Sequence, residues 1–560
     1  MIMKRYIISI LLVTFCLTAC ENLLDIDQKG VISTETFYQT DADAESALVA
    51  AYEKAMLGIV RNNEYIYSPY NAILVYPSDD IYAAGSNYGD NDFLAALNEF
   101  RHDDNNQVIS NMYKGFYKAI YGANLVIDNF EYGTSAIKDR CISEARVIRA
   151  FCHMMLAILW DTPPIVDHVL TGADRPGNSE SKNAILQWSA QEFIDAAKYL
   201  DERQSPSDKA GCAKITKGAA YAFAGKALMF AGDYAGAKAE LKKVISSGKY
   251  ALVPGNRIAE LFHVEGDGNE EKVFEFNHVY NSSISTWGGR IQRTTWMQAN
   301  LWNWRSDRLG GMPTSLFASG WGGICPTGKF AEALIANDGM NSFRRKAWIA
   351  TYDEVLFDMP YTSDPNCPTR EDKIKDKFRG INNPIGLYGH EGYFHLKLVA
   401  SSSDIKDGSY SDINFLIMRY AEVLLMYAEC CAQTSDNDGL QYLNMVQQRA
   451  GSKTISSSLT LDAVKKEKQY EMWMEGCRFI DLVRWGEAAA KLANNGDIVP
   501  SFKDKFATEN SGIHQGFVDW SDSDVNKGKE HGFKAGKHEH YPFPYSELSI
   551  NENLVQNPGW

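Results

Sequence analysis

Apolar residues recur every three or four positions through much of this chain, a period that reads as helix. Between Asp41 and Met56 the stripe is Ala44, Leu48, Ala51 and Ala55. From Met112 it runs through Phe116, Ile120, Ala123 and Ile127 and ends near Phe130. Glu144 to Trp160 repeats it through Ala145, Ile148, Cys152, Met155 and Leu159, and Pro163 with Pro164 cannot continue it. The same period predicts helices over 185–201, 214–247, 415–433, 438–450 and 461–490. Within 214–247 the order is Tyr221, Gly225 and Leu228, then Gly232-Asp233-Tyr234, then Ala237, Leu241 and Val244. Gly225 and Ala237 are small enough to let two antiparallel helices approach, and Gly232 would turn the chain between them.

That helix–turn–helix order resembles a tetratricopeptide repeat, and the other helices also come as neighbours with short connections. The fold class expected is mainly α: tetratricopeptide-like stacked helical hairpins forming an α/α superhelix. Residues 255–412 break the pattern. Gly, Pro, Ser, Asn and Trp are frequent there, and Val273-Phe274-Glu275-Phe276 alternates like a short strand. A large irregular loop-rich insert on a helical scaffold is where function is expected. Residues 77–107 read as loop with short helices, and 491–560 as a polar irregular segment ending Gln556-Asn557-Pro558-Gly559-Trp560.

The first twenty residues obey a different pattern. Lys4 and Arg5 precede an apolar run from Tyr6 to Phe15 that is too short to span a bilayer as a helix. Leu17-Thr18-Ala19-Cys20 then has the small residues and the cysteine of a lipoprotein processing site. The mature chain is expected to begin at a lipidated Cys20 and to be held at a membrane surface by acyl chains. The boundaries that follow are 1–19 for the signal peptide, 20–33 for the lipidated cysteine and linker, and 34–560 for the body. The body divides into a helical scaffold over 34–254 and 413–490, an irregular ligand-binding insert over about 255–412, and a C-terminal irregular segment over 491–560.

Composition narrows the function. Hydrophobic residues make up 45% of the chain, enough for a large core, and aromatic residues make up 12%, part of them available for ligand contact. The net charge of −15 argues against nucleic acid or an anionic membrane face as a partner. Cys152, Cys430 and Cys477 sit inside helical apolar stripes, where buried thiols are expected, and the chain has no C-x-x-C pair for zinc.

Several local motifs suggest chemistry and fail on detail. Gly323 to Phe330 has the spacing of a phosphate-binding loop, but Phe330 stands where a Ser or Thr would hold magnesium, and Pro326 removes a backbone donor. His538-Glu539-His540 lacks the i, i+4 spacing of a helical zinc site. The carboxylates of Asp519 to Asp524 lack the Gly turn and closing Glu of a calcium loop, so structural calcium is set aside. No cofactor, metal ligand or catalytic residue is expected. Glu467, Glu471 and Glu475 recur every four residues and share a helix face, with Arg478 and Asp481 near it. A structural network with Arg478, Arg484 or Arg419 is expected there, because buried carboxylates need such partners.

A set of segments now falls into order. Leu23-Leu24-Asp25 follows Cys20, Thr34-Glu35 precedes Phe37-Tyr38, and Ser78-Asp79-Asp80 follows. Tyr117, Ile120, Ala123-Asn124 and Ile127-Asp128 come next, then Glu144-Ala145-Arg146 through Arg149-Ala150 to Trp160 and Pro164. Arg419-Tyr420-Ala421-Glu422 with Leu425, Ala428 and Glu429 precedes the strongest stretch: Glu467, Glu471, Glu475-Gly476-Cys477-Arg478-Phe479, Asp481-Leu482 and Arg484-Trp485. With the terminal Gln556-Asn557-Pro558-Gly559-Trp560, the chain resembles the SusD/RagB family of outer-membrane nutrient-binding lipoproteins from Cys20 to its last residue. Lys468, Gln447 and Phe543 depart from the family's usual residues. The resemblance implies a surface-exposed, lipid-anchored, non-catalytic binder in the outer membrane. It would deliver oligosaccharide or polysaccharide to a SusC-type TonB-dependent transporter. A peptide or glycoprotein-derived nutrient, or a surface glycoside hydrolase, is the alternative.

Glycans are gripped by aromatic faces stacked on sugar rings and by polar side chains aimed at hydroxyls. Two regions offer aromatics outside helical stripes. One is the loop after Asp79-Asp80, with Tyr82, Asn87 and Tyr88, where the family commonly places ligand contacts. The other is the insert segment with Trp287, Arg290, Trp296, Trp302, Trp304 and Arg305, which holds four Trp within eighteen residues. The competing reading is a hydrophobic cluster that packs the insert onto the scaffold. Tyr388 and Tyr393 are weaker candidates, and Trp321 in Gly320-Trp321-Gly322-Gly323 reads as structural.

Overall fold

The computed structural model describes residues 37–60, 69–281, 299–305, 308–309, 317–359, 369, 371–372, 387–408, 410–502 and 526–560. The expected signal peptide, Cys20 and the linker lie outside them.

The scaffold is a run of helices, each packed on the next: Asp41–Ala55, Gln107–Ile127, Ala136–Trp160, Lys182–Ala196, Lys217–Phe230, Tyr234–Ser246, Tyr420–Gln433 and Gly439–Ala450. The insert leaves after Ser246, and the stack resumes at Tyr420. Side chains fix where these helices begin. Thr40 and Asp43 form a reciprocal capping box, Asn106 accepts from the Val108 and Ile109 N–H groups, and Ser135, Ser181, Thr216 and Asp233 cap the next four. The 217–246 hairpin is built as its sequence suggests. A Cβ on Gly225 would lie 2.5 Å from Leu241 Cγ, and Gly232 turns the chain at φ +82°.

Three stretches differ from the pattern reading. Phe415–Arg419, expected as helix, is a strand paired antiparallel with Lys272–Phe276. Its four-residue apolar run, Phe415 to Met418, carries no decisive period, and the partner strand settles it. The helix expected over 461–490 is three pieces, Leu461–Glu471, Arg478–Arg484 and Ala488–Leu492, broken where Met474 and Gly476 take φ +62° and +77°. The insert is less irregular than expected: it contains the helices Gly328–Asp338 and Phe343–Trp348, capped by Thr327 and Ser342.

The insert also shares the scaffold's core. Trp302, Phe330, Leu334, Trp348 and Ile349 belong to the main hydrophobic cluster, and a smaller cluster gathers around Trp304, Tyr352, Phe394 and Phe502. The C-terminal motif closes the fold. Asn557 Nδ2 donates to the carbonyls of Trp160 and Tyr541 (3.0 and 2.7 Å), and Trp560 Nε1 donates to those of Lys537 and His540 (3.0 and 3.1 Å). Cys141, Cys152, Cys212, Cys325, Cys430, Cys431 and Cys477 are buried free thiols.

The face shared by Glu467, Glu471 and Glu475 is buried and structural. Arg419 Nη1 bonds Glu271 (2.7 Å) and Glu471 (2.6 Å), and its Nη2 bonds Glu475 (2.6 Å). Arg344 holds Asp338 and Glu467, Arg449 holds Glu271 and Glu471, and Lys397 holds Glu475. Burial pushes the Glu471 carboxyl up, and Arg449, Arg419 and Arg344 together outweigh it, so it stays well below the usual carboxylate range. Arg484 pairs elsewhere, with Glu429 (2.6 Å) and Asp481 (2.9 Å).

Candidate ligand-binding site

The loop after Asp79-Asp80 is bolted to the scaffold at its root. Arg478 grips Asp79 with two bonds of 2.8 Å, and Gln469 Nε2 donates to Asp80 Oδ1 (2.7 Å). Burial, then the neighbouring Asp79 charge, pushes the Asp80 carboxyl up to about 7. Asn98 Nδ2 donates to the Tyr76 and Ile81 carbonyls (2.8 and 3.2 Å), fixing the bend between helix and strand. Ile81–Ala83 then pairs antiparallel with Ile324–Pro326, which sets Tyr82 opposite Cys325.

Half-buried Tyr82 lines a polar cleft of about 250 Å³ with Ser78, Asp79, Asn98, Asn495 and Asp497. Asn87 is exposed at the loop tip. Tyr88 turns back. Its hydroxyl donates to Asn526 Oδ1 (2.7 Å), and its ring meets Tyr388 edge-to-face at 6.3 Å between centroids. Arg101 and Lys529 lie 6.0 and 5.5 Å from the same ring. Burial, reinforced by Glu99, pushes the Tyr88 phenol up to about 12, so it remains a hydrogen-bond donor at neutral pH. The backbone at Gly389 lies against this loop, where a Cβ would meet Ala84 Cβ at 2.8 Å. Loop 84–88 and strand Leu387–Tyr388 thus present one surface: two tyrosines, an exposed amide, and the mouth of a polar cleft nearby. Tyr388, ranked low on sequence, becomes a main candidate because pairing with Ser501-Phe502 carries it to Tyr88.

The second aromatic region divides. Trp287, Arg290 and Trp296 lie outside the described residues. Trp302 and Trp304 are 1% and 2% exposed and offer no face to a ligand, which corrects the expectation for both. Trp302 packs on Tyr76. Trp304 donates from Nε1 to the His395 carbonyl (2.8 Å) and meets Phe317 and Phe394. They form the cluster that packs the insert onto the scaffold. Arg305 is half-buried, its stem lying over Gly322. The Gly320–Gly323 backbone runs bonded to that of 300–304, so Trp321's segment has a structural task. Tyr393 borders a different surface hollow, with Lys329 and Glu332.

The set-aside motifs are also accounted for. In the phosphate-loop look-alike, Gly328 N–H donates to the Glu391 carboxylate, so an anion of the protein already sits at that helix start. His538 is buried and accepts from the Lys534 N–H (2.9 Å). Asp519 to Asp524 lie outside the described residues.

Comparison with known proteins adds ancestry to this geometry. A family model described as the SusD family matches residues 229–560. A SusD-like protein P25 of Formosa agariphila is 24% identical over 99% of this chain and 98% of its own. The starch-binding protein SusD of Bacteroides thetaiotaomicron is 22% identical over 78% of this chain and 76% of its own. Among solved structures, a surface glycan-binding protein A from Bacteroides thetaiotaomicron, in complex with laminarihexaose, superposes with a TM-score of 0.71 at 20% identity. It covers 93% of this chain and 100% of that one. A laminarin-binding SusD-like protein gives 0.70 at 23% identity, over 93% and 100%.

Proposed function

The chain belongs to the SusD family, and from that premise we propose that it is a non-catalytic glycan-binding lipoprotein. Anchored through Cys20 to the outer face of the outer membrane, it captures oligosaccharide or polysaccharide and passes it to a SusC-type TonB-dependent transporter. The relatives named above as starch- and laminarin-binding support the substrate class.

The observation that carries the reading in this chain is the Tyr88–Tyr388 pair beside the polar cleft at Tyr82. The two rings supply apolar faces for sugar rings, and Asn87 and the cleft supply partners for hydroxyls. The root at Arg478–Asp79 ties the loop to a buried helix, so little ordering entropy remains to oppose binding. Arg308, which donates to the Ser86 carbonyl, and Arg101 and Lys529 beside the Tyr88 ring complement the partial negative charge of hydroxyl oxygens.

Affinity electrophoresis and calorimetry across a polysaccharide panel that includes laminarin and starch test this. Tyr88→Ala and Tyr388→Ala should each weaken binding about tenfold, or about 1.4 kcal/mol, while Trp321→Phe should leave it within about twofold. Unchanged affinity in both tyrosine variants would move the site elsewhere. New reducing ends on incubation would replace the binder with a hydrolase, and capture of peptides alone would replace the glycan.

A further inference from the structure

Beside the polar cleft at Tyr82 the surface dips again, into an open hollow of about 500 Å³. One side of it is the helix Gly328–Asp338, which contributes Lys329, Glu332, Ala333 and Ala336. The other side is the chain at 391–393, which contributes Glu391 and Tyr393. The two cavities adjoin along the backbone: Thr327 lines the cleft, and Gly328, the next residue, lines the hollow. Strand Ile324–Pro326, whose pairing sets Tyr82 in place, runs straight into that helix. Thr327 fixes the junction. Its N–H donates to the Asp80 carbonyl (2.9 Å), and its hydroxyl donates to the Asp79 carbonyl (3.3 Å) and accepts from the Phe330 N–H (3.2 Å). Lys329 lies close enough to Asp80 to favour its charged form. Hollow and ligand loop therefore share one root.

On the strength of the glycan-binding reading above, we propose that the hollow is a second sugar subsite, so that cleft and hollow form one track for several consecutive sugars of a linear, neutral glycan chain. The hollow's chemistry suits a sugar. Tyr393 is half-buried, and its hydroxyl bonds the Glu332 carboxylate across the hollow, which holds the ring in place. Ala333 and Ala336 leave a smooth apolar surface for the C–H face of a pyranose. Lys329 and Glu332 are exposed on the helix and offer a donor and an acceptor to hydroxyls. Glu391 takes the Gly328 N–H, so a protein carboxylate already occupies the helix start. One cation between two carboxylates gives the hollow no excess of positive charge to select an anionic ligand. Tyr393 is five residues from Tyr388, so at most about 18 Å of chain separates them. A disaccharide held at Tyr88 and Tyr388 fills the first subsite alone, and a longer chain covers both. Strand Tyr393–His395 is paired with Ile349–Thr351, and the facing wall is a capped helix. Both walls are therefore built before the glycan arrives, and added sugars bind without ordering the protein.

The test titrates the full chain with size-fractionated oligosaccharides, disaccharide to octasaccharide, of the panel polysaccharide that it binds most tightly. Wild-type affinity should rise with chain length. Tyr393→Ala should weaken octasaccharide binding about tenfold and leave the disaccharide within about twofold. Lys329→Ala with Glu332→Ala changes only exposed helix positions, so it reads the same subsite even where Tyr393→Ala fails to fold. That double variant should lose about threefold for the octasaccharide and little for the disaccharide. Tyr388→Ala should weaken every length. A wild-type affinity that does not rise with length would overturn the proposal. So would unchanged octasaccharide affinity in both hollow variants, or an equal loss at every length. Each of these leaves the binding function standing. A chain that binds no panel polysaccharide would remove the function and the second subsite with it.

Discussion

Arg419 shows how single residues act in this fold. Its guanidinium is fully buried and bonds Glu271, Glu471 and Glu475 at 2.6–2.7 Å, with a further bond of 2.7 Å to the Glu471 carbonyl. Replacing one partner of a buried ion network leaves the others uncompensated, at about 3–5 kcal/mol. Arg419→Met should therefore cost about that much in chemical denaturation, and the fraction that folds should bind glycan normally; a loss under 1 kcal/mol would mean that water or the other cations already satisfy the carboxylates. The four-residue spacing of Glu467, Glu471 and Glu475 made a buried network legible, and Arg419 was a foreseeable partner. Arg344, Arg449, Lys397 and Glu271 were not, because they arrive from separate elements and carry no local signal. The tryptophans show the same limit from the other side. Nothing in the spacing of Trp302 and Trp304 separates a ring packed between layers from one that faces a ligand. Tyr388 was undervalued for a related reason: its importance comes from Tyr88, three hundred residues away in the chain.

At the scale of elements, long amphipathic helices were legible because each carries its own evidence: period, a capping side chain, and a proline or glycine at its end. The starts were placed late, at Met112 and Glu144 in place of Gln107 and Ala136, because Asn106 and Ser135 cap polar first turns that show no apolar stripe. Strands of two to five residues were mostly invisible, since each is defined by a partner far off in the chain. Closest approaches between elements fall at small residues. At Gly115 an added Cβ would sit 2.0 Å from the Gly58 carbonyl oxygen, and both sides of that contact are backbone, so no rotamer change can relieve it. Gly115→Ala should destabilise the protein by about 1–3 kcal/mol through overpacking, read as a lowered urea midpoint. Gly225→Ala meets a flexible Leu241 side chain instead and should cost less. Equal losses at the two positions would mean that the crossing of the helix Gln107–Ile127 can open as easily as a leucine can turn.

For the molecule as a whole, the balance of buried ionisable groups sets how it responds to acid. His102, His395, His538 and His540 are pushed down to about 3 and His153 and His390 to about 4, in each case mainly by burial. His153 shows why the neutral form is built in: Nδ1–H donates to the Arg149 carbonyl (2.9 Å) while Nε2 accepts from the Val166 N–H (2.9 Å), leaving no lone pair for a proton. An unfolded histidine titrates near 6.5. Between that value and the depressed ones, the unfolded chain binds protons that the folded chain refuses. Their contribution to stability is therefore present above pH ~6.5 and is lost as pH falls. Asp80 and Asp267 oppose this, since burial holds both up near 7 and the folded state keeps their protons where the unfolded state loses them. The strongly depressed histidines outnumber the two strongly raised carboxylates, so unfolding near pH 5 takes up protons and stability falls as the pH falls. The thermal midpoint should fall steadily from pH 6.5 to pH 4, and calorimetry in buffers of different ionisation enthalpy should count those protons. A midpoint that stays level or rises over that range would mean that the buried histidines are charged in the fold. In that case the insert's anchoring contacts, His395 against the Trp302 carbonyl among them, would have to be arranged differently from those described.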